Sequence, residues 1–175
     1  MGEYSKGDAK GNEALRIAVV VSKFNEKITT ALLDGALNEL DKAGVDREKV
    51  EVFNVPGALE LAVVARACAD TEVDAVICLG AVIRGETAHF EYVANTAALA
   101  ISNVGISTGV PCIFGVLTVD NEQQALDRIG GSQGHKGEEA AATALETIAT
   151  LKQVKEGTKK KASKATGFTA VPGAS

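Results

Sequence analysis

Aromatic residues are scarce in this chain: no tryptophan, two tyrosines and five phenylalanines among 175 residues. Long apolar runs are missing altogether. None approaches the roughly 20 residues that a membrane span requires, so no membrane partner is expected. Met1 to Lys10 is polar and lacks the apolar centre of a secretory signal. Cysteine is limited to Cys68, Cys78 and Cys112, each in an apolar segment. Three cannot all pair within one chain, which predicts buried thiols in a reducing cytoplasm. No Gly-x-Gly-x-x-Gly follows the first apolar run, which removes the dinucleotide fingerprint, and no Walker A lysine motif occurs. The cysteine and histidine spacings match no zinc pattern, so no metal site is expected.

What is present is an ordinary globular composition, 46% hydrophobic and 23% charged, in a chain of single-domain length. The net charge of −5 divides unevenly. From Leu151 onward six lysines face one glutamate, a balance of +5, which leaves −10 on residues 1–150. The lysines sit among Ala, Ser, Thr and Gly without interleaved aromatics, the composition of a solvated, disordered tail. An acidic body argues against a nucleic-acid partner.

Segment types alternate. Ile17 to Val21 predicts a buried strand. Between Glu26 and Ala43, Leu33, Leu37 and Leu40 follow helical spacing, with Gly44 at the expected end. Val50 to Val55 predicts a second strand closed by Pro56-Gly57, and Leu61, Val64, Ala65 and Cys68 the stripe of a second helix. Ala75 to Leu79 predicts a third strand, followed by a helix from about Ala88 with its stripe at Val93, Ala97, Ile101 and Val104. Cys112 to Leu117 predicts a fourth strand. A short helix near Glu122–Ile129 and a longer one from Gly137 to about Val154, carrying Leu145, Ile148 and Leu151, complete the pattern. Strands without polar alternation, linked by helices, predict a doubly wound α/β sandwich with a four-stranded, mainly parallel sheet. One domain over residues 16–154 is expected, between a flexible segment 1–15 and a disordered tail 155–175. Alanine-rich helices leave little bulk for a self-sufficient core and suit subunit association.

Ligands of open α/β sheets bind outside the carboxyl ends of the strands. The four junctions there are read as Phe24-Asn25, Gly57-Ala58-Leu59-Glu60, Gly80 to His89, and Phe114. In the third, Gly85 permits close backbone approach. The N–H groups of Glu86 and Thr87 are read as opening the helix, and with the Thr87 hydroxyl they suit either a phosphate cradle or a simple helix cap. His89 lies two residues on, within reach of a bound anion. The competing fields of helix terminus and phosphate suit it to reversible proton transfer. Arg128 is a candidate second partner for phosphate, through its planar fork, and Lys136 a further cation. Phe24 is placed to stack on a planar heterocycle, with Asn25 and Glu60 to orient hydroxyls or ring N–H groups. Phe114 fits either that role or the core.

Lys23-Phe24-Asn25, Val55-Pro56-Gly57-Ala58-Leu59-Glu60, Leu79-Gly80-Ala81-Val82-Ile83-Arg84-Gly85-Glu86-Thr87-Ala88-His89, and Gly109-Val110-Pro111 leading to Phe114-Gly115 occur in this order. Together they resemble the 6,7-dimethyl-8-ribityllumazine synthase family over about Arg16 to Leu151. The resemblance implies a flavodoxin-like fold and the condensation of 5-amino-6-(D-ribitylamino)uracil with 3,4-dihydroxy-2-butanone 4-phosphate, without a cofactor. It implies that Phe24 stacks on the pyrimidine-derived ring, Asn25, Ala58, Leu59 and Glu60 position the ribityl chain, and the backbone of Ala81, Val82 and Ile83 binds the uracil edge. Glu86, Thr87 and Arg128 would hold phosphate, His89 would transfer protons, Lys136 would lie near the site, and Phe114 would come from the adjacent subunit. Pentamers, and shells of pentamers, are further implications; the uninterrupted link Gly130-Gly131-Ser132-Gln133-Gly134 looks like the shell-forming kind. Leu59 replaces a frequent aromatic and Ile129 a common small residue. A non-catalytic flavin or lumazine binder, or a structural shell protein, is the competing expectation.

Overall fold

Two half-cores, one on each face of a single sheet, organise the structure. The computed structural model describes residues 9–165. Along the chain run a 3-10 turn at Ala9–Ala14, β1 (Ile17–Ser22), α1 (Glu26–Lys42), a 3-10 turn at Arg47–Lys49, β2 (Val50–Val55) and α2 (Leu61–Ala69). Then come β3 (Ala75–Ile83), α3 (His89–Thr108), β4 (Cys112–Val119), α4 (Glu122–Leu126), β5 (Ile129–Gly131), β6 (Gly134–His135) and α5 (Lys136–Ala165). The main sheet has the order β2-β1-β3-β4 with every neighbouring pair parallel, and β5 and β6 form a separate antiparallel hairpin. This is the expected doubly wound, flavodoxin-like architecture. Strand order reverses between β1 and β3, which makes their carboxyl ends the topological switch point.

Strand alternation sends successive residues to opposite faces. Ile17, Val19, Ile77 and Leu79 pack with Ile28, Leu32 and Ala36 of α1 and Ala141, Ala144 and Ile148 of α5. Ala18, Val20, Val76 and Cys78 pack with Leu61 and Ala65 of α2 and Ala97 and Ile101 of α3. All three cysteines are free; Cys68 and Cys78 are buried and Cys112 is half-buried. Burial raises the Cys78 thiol far above its ordinary value and pushes Cys112 up to about 11. Among the described residues no helix is long and apolar enough to cross a membrane.

Several boundaries differ from those read in the sequence. The buried stripe of α1 is Ile28, Leu32, Ala36 and Leu40, with Leu33 and Leu37 at its flank. Small residues face α5 because the two helices cross closely: a Cβ at Gly137 would collide with the Leu32 carbonyl oxygen. β3 continues to Ile83 and β4 to Val119 because they pair with each other over that whole length. α4 stops at Leu126, since Ile129 pairs with His135 in the hairpin. At the edge of the sheet β2 is exposed rather than buried on both faces. The segment before Arg16 includes an ordered turn, and Leu15 is in the core. α5 continues to Ala165, past Val154, so the lysine-rich segment starts as helix rather than coil; alanine, lysine and glutamate are strong helix formers. The rest of the expected tail, 166–175, and the first eight residues of the expected flexible segment lie outside the described residues.

Candidate active site

The loops after β1 and β2 run side by side. Lys23 N–H donates to the Val55 carbonyl at 2.8 Å and Phe24 N–H to that of Pro56 at 3.2 Å. Asn25 then adopts the left-handed conformation (φ 59°), which asparagine tolerates better than most residues, and the chain turns directly into α1. Its side chain makes no capping bond to its own helix. Instead Nδ2 donates to the Ala81 carbonyl at 2.9 Å, across the switch point. Phe24, 70% exposed, is left free to present its ring to a ligand.

β1 pairs with β3 only as far as Leu79, whereas β4 pairs with it to Ile83. One edge of β3 is therefore open above the end of β1. Arg84 N–H donates to the Val119 carbonyl at 2.9 Å, so alternation turns the Val82 peptide groups toward β4 as well. Those of Ala81 and Ile83 face the open side, where the Ala81 carbonyl already holds Asn25. Gly80 lies within the strand rather than opening the turn. A Cβ there would meet Ser22 Oγ at 3.2 Å and Leu61 Cδ1 at 3.3 Å.

The turn itself is 84–88, and His89 is the first residue of α3. The helix starts later than the sequence suggested, so Glu86 and Thr87 lie in the loop and the orphan N–H groups of the first helical turn begin at His89. Ala88 offers no side-chain cap. The His89 N–H reaches Thr87 Oγ1 at 3.4 Å, which leaves the hydroxyl proton free to donate. Glu86, Thr87 and His89 are all exposed. In the second loop Ala58 is buried, while Leu59 and Glu60 are exposed at the start of α2. The Glu60 carboxylate folds back over Gly57, where a Cβ would stand 3.1 Å from Oε2.

Phe114, Arg128 and Lys136 stand elsewhere. Phe114 pairs with Cys78 well before β4 ends, so it does not lie at a strand carboxyl end as its position suggested; strand length is set by the partner. It lines a groove of about 450 Å³ with Cys112, Leu117, Lys136, Glu139 and Thr143. Lys136 Nζ donates to both oxygens of Glu139, at 2.8 and 2.6 Å. Arg128 follows α4; its Nη1 donates to the Gln124 carbonyl at 2.9 Å, and its own carbonyl accepts from Lys136 N–H at 2.8 Å. Among the described residues no hydrogen bond or ion pair joins these three to Phe24–His89. Nor does any group of three or more His, Cys, Asp or Glu there suit a metal ion.

Residues 14–152 match the family model of 6,7-dimethyl-8-ribityllumazine synthase. The chain belongs to this family. Of the curated proteins so named, that of Syntrophus aciditrophicus is 47% identical over 147 residues, 83% of this chain and 94% of its own length. That of Protochlamydia amoebophila is 47% identical over 149 residues, 85% and 86% of the two chains. A chloroplastic one from Arabidopsis thaliana is 50% identical over 135 residues, covering 77% of this chain and 60% of the relative.

Two groups in this chain went unread in the sequence. Glu139 carries a local signal, since a glutamate three residues after a lysine on a helix is an expected ion pair. Arg84 carries none: its partners Asp120 and Glu91 lie 36 and seven positions away, and only the fold joins them.

Proposed function

We propose that the crevice at the carboxyl ends of β1, β2 and β3 is where this chain condenses the two substrates of its family's reaction. These are 5-amino-6-(D-ribitylamino)uracil and 3,4-dihydroxy-2-butanone 4-phosphate; the products are 6,7-dimethyl-8-ribityllumazine, phosphate and water. The observation that carries the reading is the 2.9 Å bond from Asn25 to the Ala81 carbonyl, which joins the loop bearing Phe24 to the open edge of β3. Phe24 stacks on the pyrimidine. The Ala81 N–H and the Ile83 peptide groups, which β1 leaves unpaired, hydrogen-bond the uracil edge, with Val82 between them as support. Asn25, Ala58, Leu59 and Glu60 align the ribityl hydroxyls. The backbone of Glu86, the Thr87 hydroxyl and the unpaired N–H groups of α3 hold phosphate together with Arg128. His89 moves protons during imine formation, phosphate elimination and ring closure. Holding two substrates in register supplies much of the acceleration.

The working unit is a pentamer, cytoplasmic and able to close into an icosahedral shell. Phe114 and Lys136, which share one groove, serve the crevice of the neighbouring subunit. Support comes from apolar side chains left bare in the single chain, among them Val63, Tyr92, Leu99 and Ile106. Purified protein mixed with the two substrates should produce lumazine absorbance above the uncatalysed rate. Absence of that excess would overturn the enzymatic reading and leave a ligand-binding or structural homologue.

A further inference from the structure

We propose that Arg84 is a positioning residue, holding the start of α3 against the end of β4 so that His89 and the Glu86–Thr87 loop keep one geometry. The proposal rests on the reading that Thr87 and His89 serve the phosphate end of the crevice. Arg84 follows β3 directly, and its N–H is bonded to the Val119 carbonyl at 2.9 Å, which fixes its backbone at the end of the sheet. Its guanidinium then reaches in two directions. Nε donates to Asp120 Oδ1 at 2.9 Å, at the start of the connection after β4. Nη1 pairs with Glu91, in the first turn of α3 two residues beyond His89. Its Cζ lies over the Phe90 ring, 4.1 Å from the centroid.

The loop so bridged has few restraints of its own. Gly85 has open space where a Cβ would stand, and α3 lacks a side-chain cap. Two carboxylates outweigh the one guanidinium, so Arg84 is no spare cation for a substrate phosphate; its charge is already directed at Glu91 and Asp120. Those contacts raise the Arg84 pKa, and the Arg84 hydrogen bond holds Glu91 below the usual carboxylate range. Exposed ion pairs contribute little to stability, so loss of this one should register in kinetics before it registers in the melting temperature.

The test is steady-state kinetics of the assembled full-length enzyme with each substrate varied in turn. Arg84→Gln should raise KM for the butanone phosphate about tenfold and lower kcat, with KM for the pyrimidine within about twofold, because a small misplacement of positioning groups is costly. Arg84→Lys, which offers one ammonium where a fork met two carboxylates, should recover part of the loss. Asp120→Asn combined with Arg84→Gln should be no worse than Arg84→Gln alone, since both break one bridge. Unchanged kinetics with a lowered melting temperature, equal rises in both KM values, or additive losses would each overturn the proposal. Thr87→Ala separates the two layers. If it raises KM for the phosphate substrate while Arg84→Gln does not, only the positioning role fails. If it has no effect while Arg84→Gln does, the cradle reading fails and Arg84 itself meets the phosphate.

Discussion

Asn25 takes a left-handed backbone and turns its carboxamide away from its own helix to hold the Ala81 carbonyl, so one residue sets both the chain direction after β1 and the shape of the crevice. Asn25→Asp keeps the backbone preference but replaces a donor by a carboxylate facing a carbonyl. It should cost about 1–3 kcal/mol in urea unfolding and raise KM for the pyrimidine, because an acceptor is left unpaired beside a charge. An unchanged unfolding midpoint would remove the bond from any structural role. His89→Ala should lower kcat by no more than the roughly 10²–10⁴-fold typical of one acid–base group, with both substrates still bound. Unchanged turnover would leave orientation as the sole source of rate. Phe24, Asn25, Thr87 and His89 were legible in the sequence because each lies in a contiguous run next to a strand end. Arg84 was not, because its meaning depends on Asp120, brought near only by the pairing of β3 with β4.

At the scale of elements, apolar spacing located four strands and the principal helices, but size misled where helices cross. Leu33 and Leu37 attract attention on α1, yet the face against α5 is built from Ile28, Leu32, Ala36 and Gly35, so that Gly137 can touch the Leu32 backbone and the His135 ring can rest on Gly35. Small residues give a weak hydrophobic signal while deciding how closely two helices approach. Gly137→Ala adds one methyl group against a carbonyl that cannot move without shifting α1. Overpacking of this kind costs about 1–3 kcal/mol or more and should outweigh the gain in helix propensity. Thermal or urea unfolding would record it, and a variant at least as stable as the parent would contradict the close crossing. Because α5 begins at Lys136, the same substitution should also disturb the Lys136–Glu139 pair and the groove that Phe114 lines.

At the scale of the whole molecule, the single chain leaves apolar side chains bare. α3 buries Ala97, Ile101 and Val104 against the sheet, while Tyr92, Leu99 and Ile106, spaced seven residues apart, form a stripe on its opposite side. Ile106 is 80% exposed and Leu99 67%, an apolar surface with the periodicity of a helix that packs against another. Phe114 and Lys136 form a second, separate surface on β4 and α5. If neighbouring subunits meet along α3 and complete each other's crevice, both surfaces acquire partners in one assembly. Leu99→Glu puts a charge in the middle of the stripe without touching the core or the crevice. Sedimentation should then show the assembly dissociating into smaller species. Circular dichroism should keep its helical signal, and lumazine formation should fall in proportion to the loss of assembled protein. Raising the concentration of the variant should recover both together, since association follows mass action. Full activity in a dispersed chain would separate catalysis from assembly and return Phe114 to a local role on β4.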